Sequence, residues 1–257
     1  MTTSVTKLQE NYNQQGFLSA LPVLNGAELR EARQAFSELE KEFEEYTQYS
    51  LHNVHLYPWV MGLSKHPRIL EVVKAILGPD VILLDSRFIC KYPTLKAANI
   101  QEKEENKADE SKLPYVAWHQ DMYWGIAGGP VLSVWLALDD SLKENGALQV
   151  IPSHCSGMLL HRQAVRPGNM LSVNQEIPEE LVQVEEAVLC LLSAGQMSIH
   201  DGLLVQASDA NTSQKRRCGF VIRYFPTCAS LTEDPDRPRK FHATMLVSGT
   251  DQFNHFS

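Results

Sequence analysis

A chain of 257 residues, 44% of them apolar and 21% charged, has the composition of an ordinary globular protein and enough length for one substantial core, so disorder is not its expected state. The formal net charge of -8 argues against nucleic acid or an anionic membrane as the main partner, since both call for a basic surface. Cys90, Cys155, Cys190, Cys218 and Cys228 lie far apart with no Cys-x-x-Cys pair, which predicts reduced thiols. With no secretory leader, no apolar run of about 20 residues and no peroxisomal tail read, the expectation is a cytoplasmic protein.

In chain order, Gly16 to Leu24 reads as a short strand or extended lead-in, after which Asn25 or Gly26 caps a helix. From Ala27 to about Tyr49, Leu29, Ala32, Phe36, Leu39 and Phe43 recur every three or four residues and give one apolar helical face. A second helix runs from Ile69 to Leu77, with Gly78 as its stop and Pro79 preventing continuation. Val81 to Tyr92 is rich in β-branched and aromatic residues and predicts a strand. The charged stretch from Lys96 to Lys112 reads as a surface loop.

Six more β-like runs follow: Tyr115–Met122, Leu132–Leu138, Ala147–Ile151, Val188–Leu192, Gln196–Val205 and Cys218–Phe225. Two helices and then many short strands predict a mainly β sandwich or barrel with helices packed outside.

The chemistry concentrates in Trp118-His119-Gln120-Asp121. On an extended stretch, His119 and Asp121 project from the same side, because side chains alternate with period two. An imidazole and a carboxylate so placed are two of the three ligands of the facial arrangement used by non-haem Fe(II) oxygenases.

Around that pair lie further blocks in a fixed order: Phe88-Ile89-Cys90-Lys91-Tyr92-Pro93, Tyr123-Trp124-Gly125, Val134 to Asp140, Glu144 to Leu148, Ile151-Pro152-Ser153-His154, and the run from Gly195 to Tyr224. Over nearly its whole length the chain resembles the phytanoyl-CoA dioxygenase family of Fe(II)- and 2-oxoglutarate-dependent oxygenases. The resemblance implies a double-stranded β-helix, a cupin-like jelly-roll barrel with flanking helices, spanning residues 1–257 as one domain. It implies that His119 and Asp121 bind Fe(II), and that 2-oxoglutarate chelates the metal and extends its far carboxylate to Arg217. Ser208 matches a hydroxyl donor to the same carboxylate, and Lys91 and Trp135 match positions lining the cosubstrate pocket.

The chain departs from the family pattern at the third ligand. Where the family has a His, residue-by-residue transfer lands on Gln206, whose amide oxygen is a weaker donor to Fe(II) than imidazole. His200 is read as a core residue or a group behind the ligands; a bulge at Gly202 would be needed to make it the third ligand. One-residue contractions at Met122 and at Ser153 fall close to the same site. Asp121 is retained, unlike in the halogenating relatives.

The sequence therefore points to a dioxygenase that hydroxylates a small molecule or acyl substrate. The alternative, carried by Gln206, is a catalytically impaired member that acts by binding. Substrate cover is expected from Lys96–Lys112 and His161–Pro178. Neither the substrate nor the oligomeric state is read from the sequence.

Overall fold

The computed structural model describes residues 2–43, 50–93, 113–121, 126–152, 157–163, 166–171, 175–231 and 245–256. The chain opens on helix α1 (Thr2–Gln15) and strand β1 (Phe17–Pro22), followed by α2 (Gly26–Glu42). Asn25 caps α2 through a capping box, its side chain accepting from Ala27 and Glu28 amides while Glu28 accepts from the Asn25 amide at 2.7 Å. The helix expected to reach Tyr49 ends at Glu42, and residues 44–49 lie outside the described residues. Then come β2 (Ser50–His52), α3 (Pro58–Ser64) and α4 (Pro67–Leu77), the last two each beginning on a proline. Gly78, at a φ of 90°, ends α4 in the left-handed region that favours glycine.

The rest of the described chain is mainly strands: β3 (Val81–Lys91), β4 (Val116–His119), β5 (Ile126–Ala127), β6 (Leu132–Ala137), β7 (Leu148–Val150), β8 (Arg162–Gln163) and β9 (Gln175–Glu176). After them come β10 (Val188–Cys190), β11 (Gln196–Asp201), β12 (Gln206–Ser208), β13 (Arg217–Pro226), β14 (Ser230–Leu231) and β15 (Met245–Ser248). A seven-stranded sheet runs β1-β11-β6-β13-β3-β15, with β2 also on β3, and a four-stranded sheet runs β10-β7-β12-β4. Their pairings are antiparallel throughout, and two facing sheets of this kind are the expected jelly-roll.

Strand alternation divides the larger sheet into two faces. Phe88, Cys90, Val134, Leu136, Phe220, Ile222 and Tyr224 point to one side and bury against Phe36, Leu39, Val60, Ile69 and Val73 of the helices. The opposite face, with Trp135, Ala137 and Val221, turns toward the smaller sheet. On that inner face β13 carries Arg217, Gly219, Val221 and Arg223, paired with Lys91, Ile89, Arg87 and Asp85 of β3.

One expectation is corrected. The run Gln196–Val205 is not a single strand: Asp201 accepts from the Leu203 amide at 2.8 Å through its side chain and from the Leu204 amide through its carbonyl. That turn carries the chain from β11 in the larger sheet to β12 in the smaller one. His200 and Gln206, six positions apart, therefore belong to different sheets. In the segment 161–178, His161 Nε2 accepts from the Gln120 amide at 3.3 Å, and Ile177 clusters with Ile151 and Val205. The Lys96–Lys112 loop and the contractions at Met122 and Ser153 lie outside the described residues.

Candidate functional site

Between the two sheets lies a partly open cavity lined by His119, Asp121, Gln206, Ser208, Trp135 and Arg217, together with His200, Ser133 and Arg223. Lys91 is buried beside it, hydrogen-bonded to Ser208. The fold thus gathers the residues singled out from the sequence around one space.

His119 is the last residue of β4. Its ring nitrogen Nδ1 donates to the Ala117 carbonyl at 2.8 Å, which turns Nε2 toward Asp121. Nε2 lies 3.6 Å from Asp121 Oδ1, so the two groups converge. Between them Gln120 points the other way, donating to the Gly157 and Leu203 carbonyls at 3.1 and 2.6 Å. Gln206 on β12 is the backbone partner of His119. Its side chain is buried, and its Nε2 has no hydrogen-bond partner among the described residues.

Asp121 is held by groups that sequence reasoning missed. Arg223 Nη2 donates to Oδ1 at 2.7 Å and Ser133 Oγ to Oδ2 at 2.8 Å. Arg223 also donates to Asp85 at 3.0 Å, and Asp85 accepts from Arg87 at 2.6 Å, so a line of alternating charges runs along the inner face. Burial works to raise the Asp121 carboxyl, but the Arg223 guanidinium and His119 outweigh it and hold Asp121 well below the ordinary carboxylate range. His200 is pushed down to about 4, chiefly by burial, and stays neutral; its Nε2 has no partner among the described residues.

The other end of the cavity is cationic. Arg217 donates through Nη1 to the Gly146 carbonyl, and its guanidinium lies 5.2 Å from the centre of the Trp135 ring. Trp135 reaches that place because residue 219 is glycine: a Cβ there would come within 2.0 Å of its ring. Lys91 Nζ donates to the Ser208 hydroxyl at 2.7 Å, to the Ser208 carbonyl at 3.0 Å and to the Asp209 carbonyl. Burial pulls both cations down, Arg217 to about 10, and Lys91 is lowered further by the Arg217 charge. An anionic ligand would relieve both.

His119 Nε2 and the Asp121 carboxylate are donors suited to a ferrous ion, and Gln206, which pairs with His119 across the strands and lines the same cavity, brings an amide oxygen, a weaker donor. They fit, with an amide in place of an imidazole. Among the described residues no group of three His, Cys, Asp or Glu side chains is gathered for a metal. Arg217, Ser208 and Lys91 fit a carboxylate.

Two facing sheets with a cavity of this make-up define a jelly-roll of the kind found in non-haem oxygenases. The chain belongs to the phytanoyl-CoA dioxygenase (PhyH) family, whose pattern matches residues 12–219 and so stops short of Arg223. It is 23% identical over 175 residues to a protein of Stutzerimonas stutzeri named a probable alpha-ketoglutarate-dependent hypophosphite dioxygenase, covering 67% of this chain and 55% of that protein. The chain thus spans only about half the length of that relative. Among solved structures, the apo form of the non-heme monooxygenase ThoJ matches with a TM-score of 0.70 and 26% identity, over 95% of this chain and 84% of that one. The epimerase SnoN, in complex with Fe3+, alpha ketoglutarate and nogalamycin RO, shares the fold, with a TM-score of 0.67 and 18% identity over 96% of this chain and 100% of its own.

Proposed function

We propose that the chain is an Fe(II)- and 2-oxoglutarate-dependent dioxygenase that hydroxylates a small molecule or acyl substrate, with residues 1–257 as one domain of that kind. One observation carries this reading: a single cavity has His119 and Asp121 converging at one end and Arg217 with Ser208 at the other. His119 Nε2, the Asp121 carboxylate and the Gln206 amide oxygen would hold the ferrous ion, which when bound supplies the dioxygen chemistry that no side chain provides.

The chain's own residues do the positioning. The Arg217 fork is suited to a bidentate carboxylate contact, and the Trp135 ring beneath it fixes its plane. Ser208 accepts from Lys91, which leaves its hydroxyl hydrogen to donate to the same carboxylate. Arg223 and Ser133 orient Asp121. Ile89, Leu148 and Val221 line the walls with apolar surface and limit water.

A second reading, a family member that acts by binding, is favoured by Gln206 itself, since an amide holds Fe(II) more weakly than an imidazole. Aerobic consumption of 2-oxoglutarate with added Fe(II), compared between this chain and Gln206→His, separates the two. The dioxygenase reading expects turnover in the unaltered chain that is lost in His119→Ala. Turnover only in the Gln206→His variant would remove that reading and leave the binding one.

A further inference from the structure

We propose that Gln206 and His200 form a hydroxyl-binding pair that seats an uncharged, hydroxyl-bearing substrate in the cavity of the metal ligands. The inference rests on the proposed function and deepens it, naming a substrate class and the two side chains that select it.

The turn after Asp201 creates the pair. It ends β11 of the larger sheet and leads into β12 of the smaller one, so His200 and Gln206 line one cavity from opposite walls. They are only 1% and 3% exposed, and in each the Nε2 atom has no hydrogen-bond partner among the described residues. A buried polar atom left unpaired is costly, and a ligand that brings the missing partner removes the penalty.

Two such atoms at one cavity call for a group that meets both. The Gln206 amide nitrogen can only donate. A buried imidazole with no carboxylate bonded to it is neutral, and its Nε2 accepts or donates according to the tautomer. A hydroxyl accepts and donates at once, so it takes the Gln206 N–H and meets the His200 ring in either tautomer. A carbonyl accepts only and leaves a bare ring nitrogen unmet.

The charges around the cavity agree. Arg223 is matched by Asp121 and Asp85, and the proposed function gives Arg217 to the cosubstrate. A neutral amide and a neutral imidazole add no charge, so this pair does not call for an ionised group. Ile89, Val116, Leu148 and Val221 line the same cavity with hydrocarbon, which suits an alcohol on an apolar carbon frame.

The departure at residue 206 thereby acquires a role. An amide carries its oxygen and its NH2 group on one carbon, so the oxygen can serve the ion while the NH2 group donates to substrate. An imidazole that gives one nitrogen to an ion has its other nitrogen across the ring.

The test uses the full chain loaded with diamagnetic Zn(II) and saturated with 2-oxoglutarate, with cyclohexanol, cyclohexanone and cyclohexanecarboxylate as probes. Isotope-labelled histidine rings report on His200 Nε2 by nitrogen chemical shift, the signal being assigned by its absence in His200→Phe. Cyclohexanol is expected to move that signal and to bind about tenfold more tightly than the ketone, while the carboxylate leaves it unmoved. His200→Phe and Gln206→His are each expected to weaken cyclohexanol about tenfold. In His200→Phe the affinity for 2-oxoglutarate is expected to stay within about threefold. Gln206→His is expected to tighten Zn(II) at the same time, which separates loss of the NH2 donor from loss of the ion. With Zn(II) and 2-oxoglutarate bound, a His200 signal that stays still, or that moves as much with the ketone or the carboxylate, would overturn this proposal and leave the proposed function standing. Cyclohexanol affinity unchanged in both variants would overturn it too. Failure to bind Zn(II) and 2-oxoglutarate would overturn both readings. The signal and the ranking of probes are read on the unaltered chain, so they decide the matter even where a variant does not fold.

Discussion

A buried carboxylate needs a cation, and at Asp121 the chain supplies one from its own strand β13. Removing one member of a buried, hydrogen-bonded ion pair leaves the other charge uncompensated, which costs about 3–5 kcal/mol. Arg223→Met strands Asp121, while Asp85 keeps its pair with Arg87, so urea denaturation at pH 7 is expected to show a loss of that size; a loss under about 1 kcal/mol would mean the Arg223–Asp121 pair is weak. His200 makes a second residue-scale prediction. Its pKa is lowered to about 4 in the fold from an ordinary 6.5, so the unfolded chain binds a proton first as pH falls. Stability contributed by neutral His200 is therefore complete above about pH 6.5 and is lost toward pH 4, by about 2 kcal/mol at pH 5. Comparing stability at pH 7 and pH 5 in the unaltered chain and in His200→Leu checks this, since the pH-dependent loss is expected to shrink in the variant. Of the residues at the site, His119, Asp121, Gln206, Ser208 and Arg217 were legible, because spacing and family resemblance mark them. Arg223, Asp85 and Ser133 were not. The signal existed for Arg223: it lies six positions after Arg217 in an apolar strand, and period two puts both on one face.

At the scale of elements, α2, α4, β3 and β13 follow the periodicity of their apolar residues, and their buried faces are the ones that spacing implies. Helix α1 was not legible, since Thr2–Gln15 is mostly polar. Tertiary contacts hold it in place, with buried Tyr12 donating to Asp201 at 2.9 Å and Gln9 donating to the Ala75 carbonyl. The turn after Asp201 was missed for a different reason. Gln196–Val205 reads as one continuous β-like run, and only the hydrogen bonds of the Asp201 side chain and carbonyl reveal the change of sheet. Gly219 carries the element-scale prediction. Gly219→Ala sets a methyl group against the Trp135 ring and is expected to cost about 1–3 kcal/mol by overpacking. It is also expected to move Trp135 off Arg217, read as a change in tryptophan fluorescence on adding 2-oxoglutarate. Full stability and an unaltered response would show that the ring has room.

On the scale of the whole molecule, the larger sheet is a wall between two environments: helices and hydrocarbon on one face, a charged cavity on the other. A β sandwich or barrel was legible as a class from two helices and many short strands, and the jelly-roll from the family resemblance, while the partition of strands into two sheets depended on long-range pairing that local sequence does not encode. A ligand bound between the sheets ties them together, so it is expected to stabilise the entire fold by about 2.7 kcal/mol at a hundred times its Kd. A thermal melt with saturating 2-oxoglutarate would show this as a raised Tm, and an unmoved Tm would speak against a ligand in the cavity. The most direct measurement of all is the affinity of 2-oxoglutarate for the Ni(II)-loaded chain and for Arg217→Met. The account predicts a loss of about a hundredfold in the variant, the equivalent of removing one charge-assisted hydrogen-bonded fork. Equal affinity in the two proteins would contradict it, because the far end of the cavity would then not be where the dicarboxylate is held.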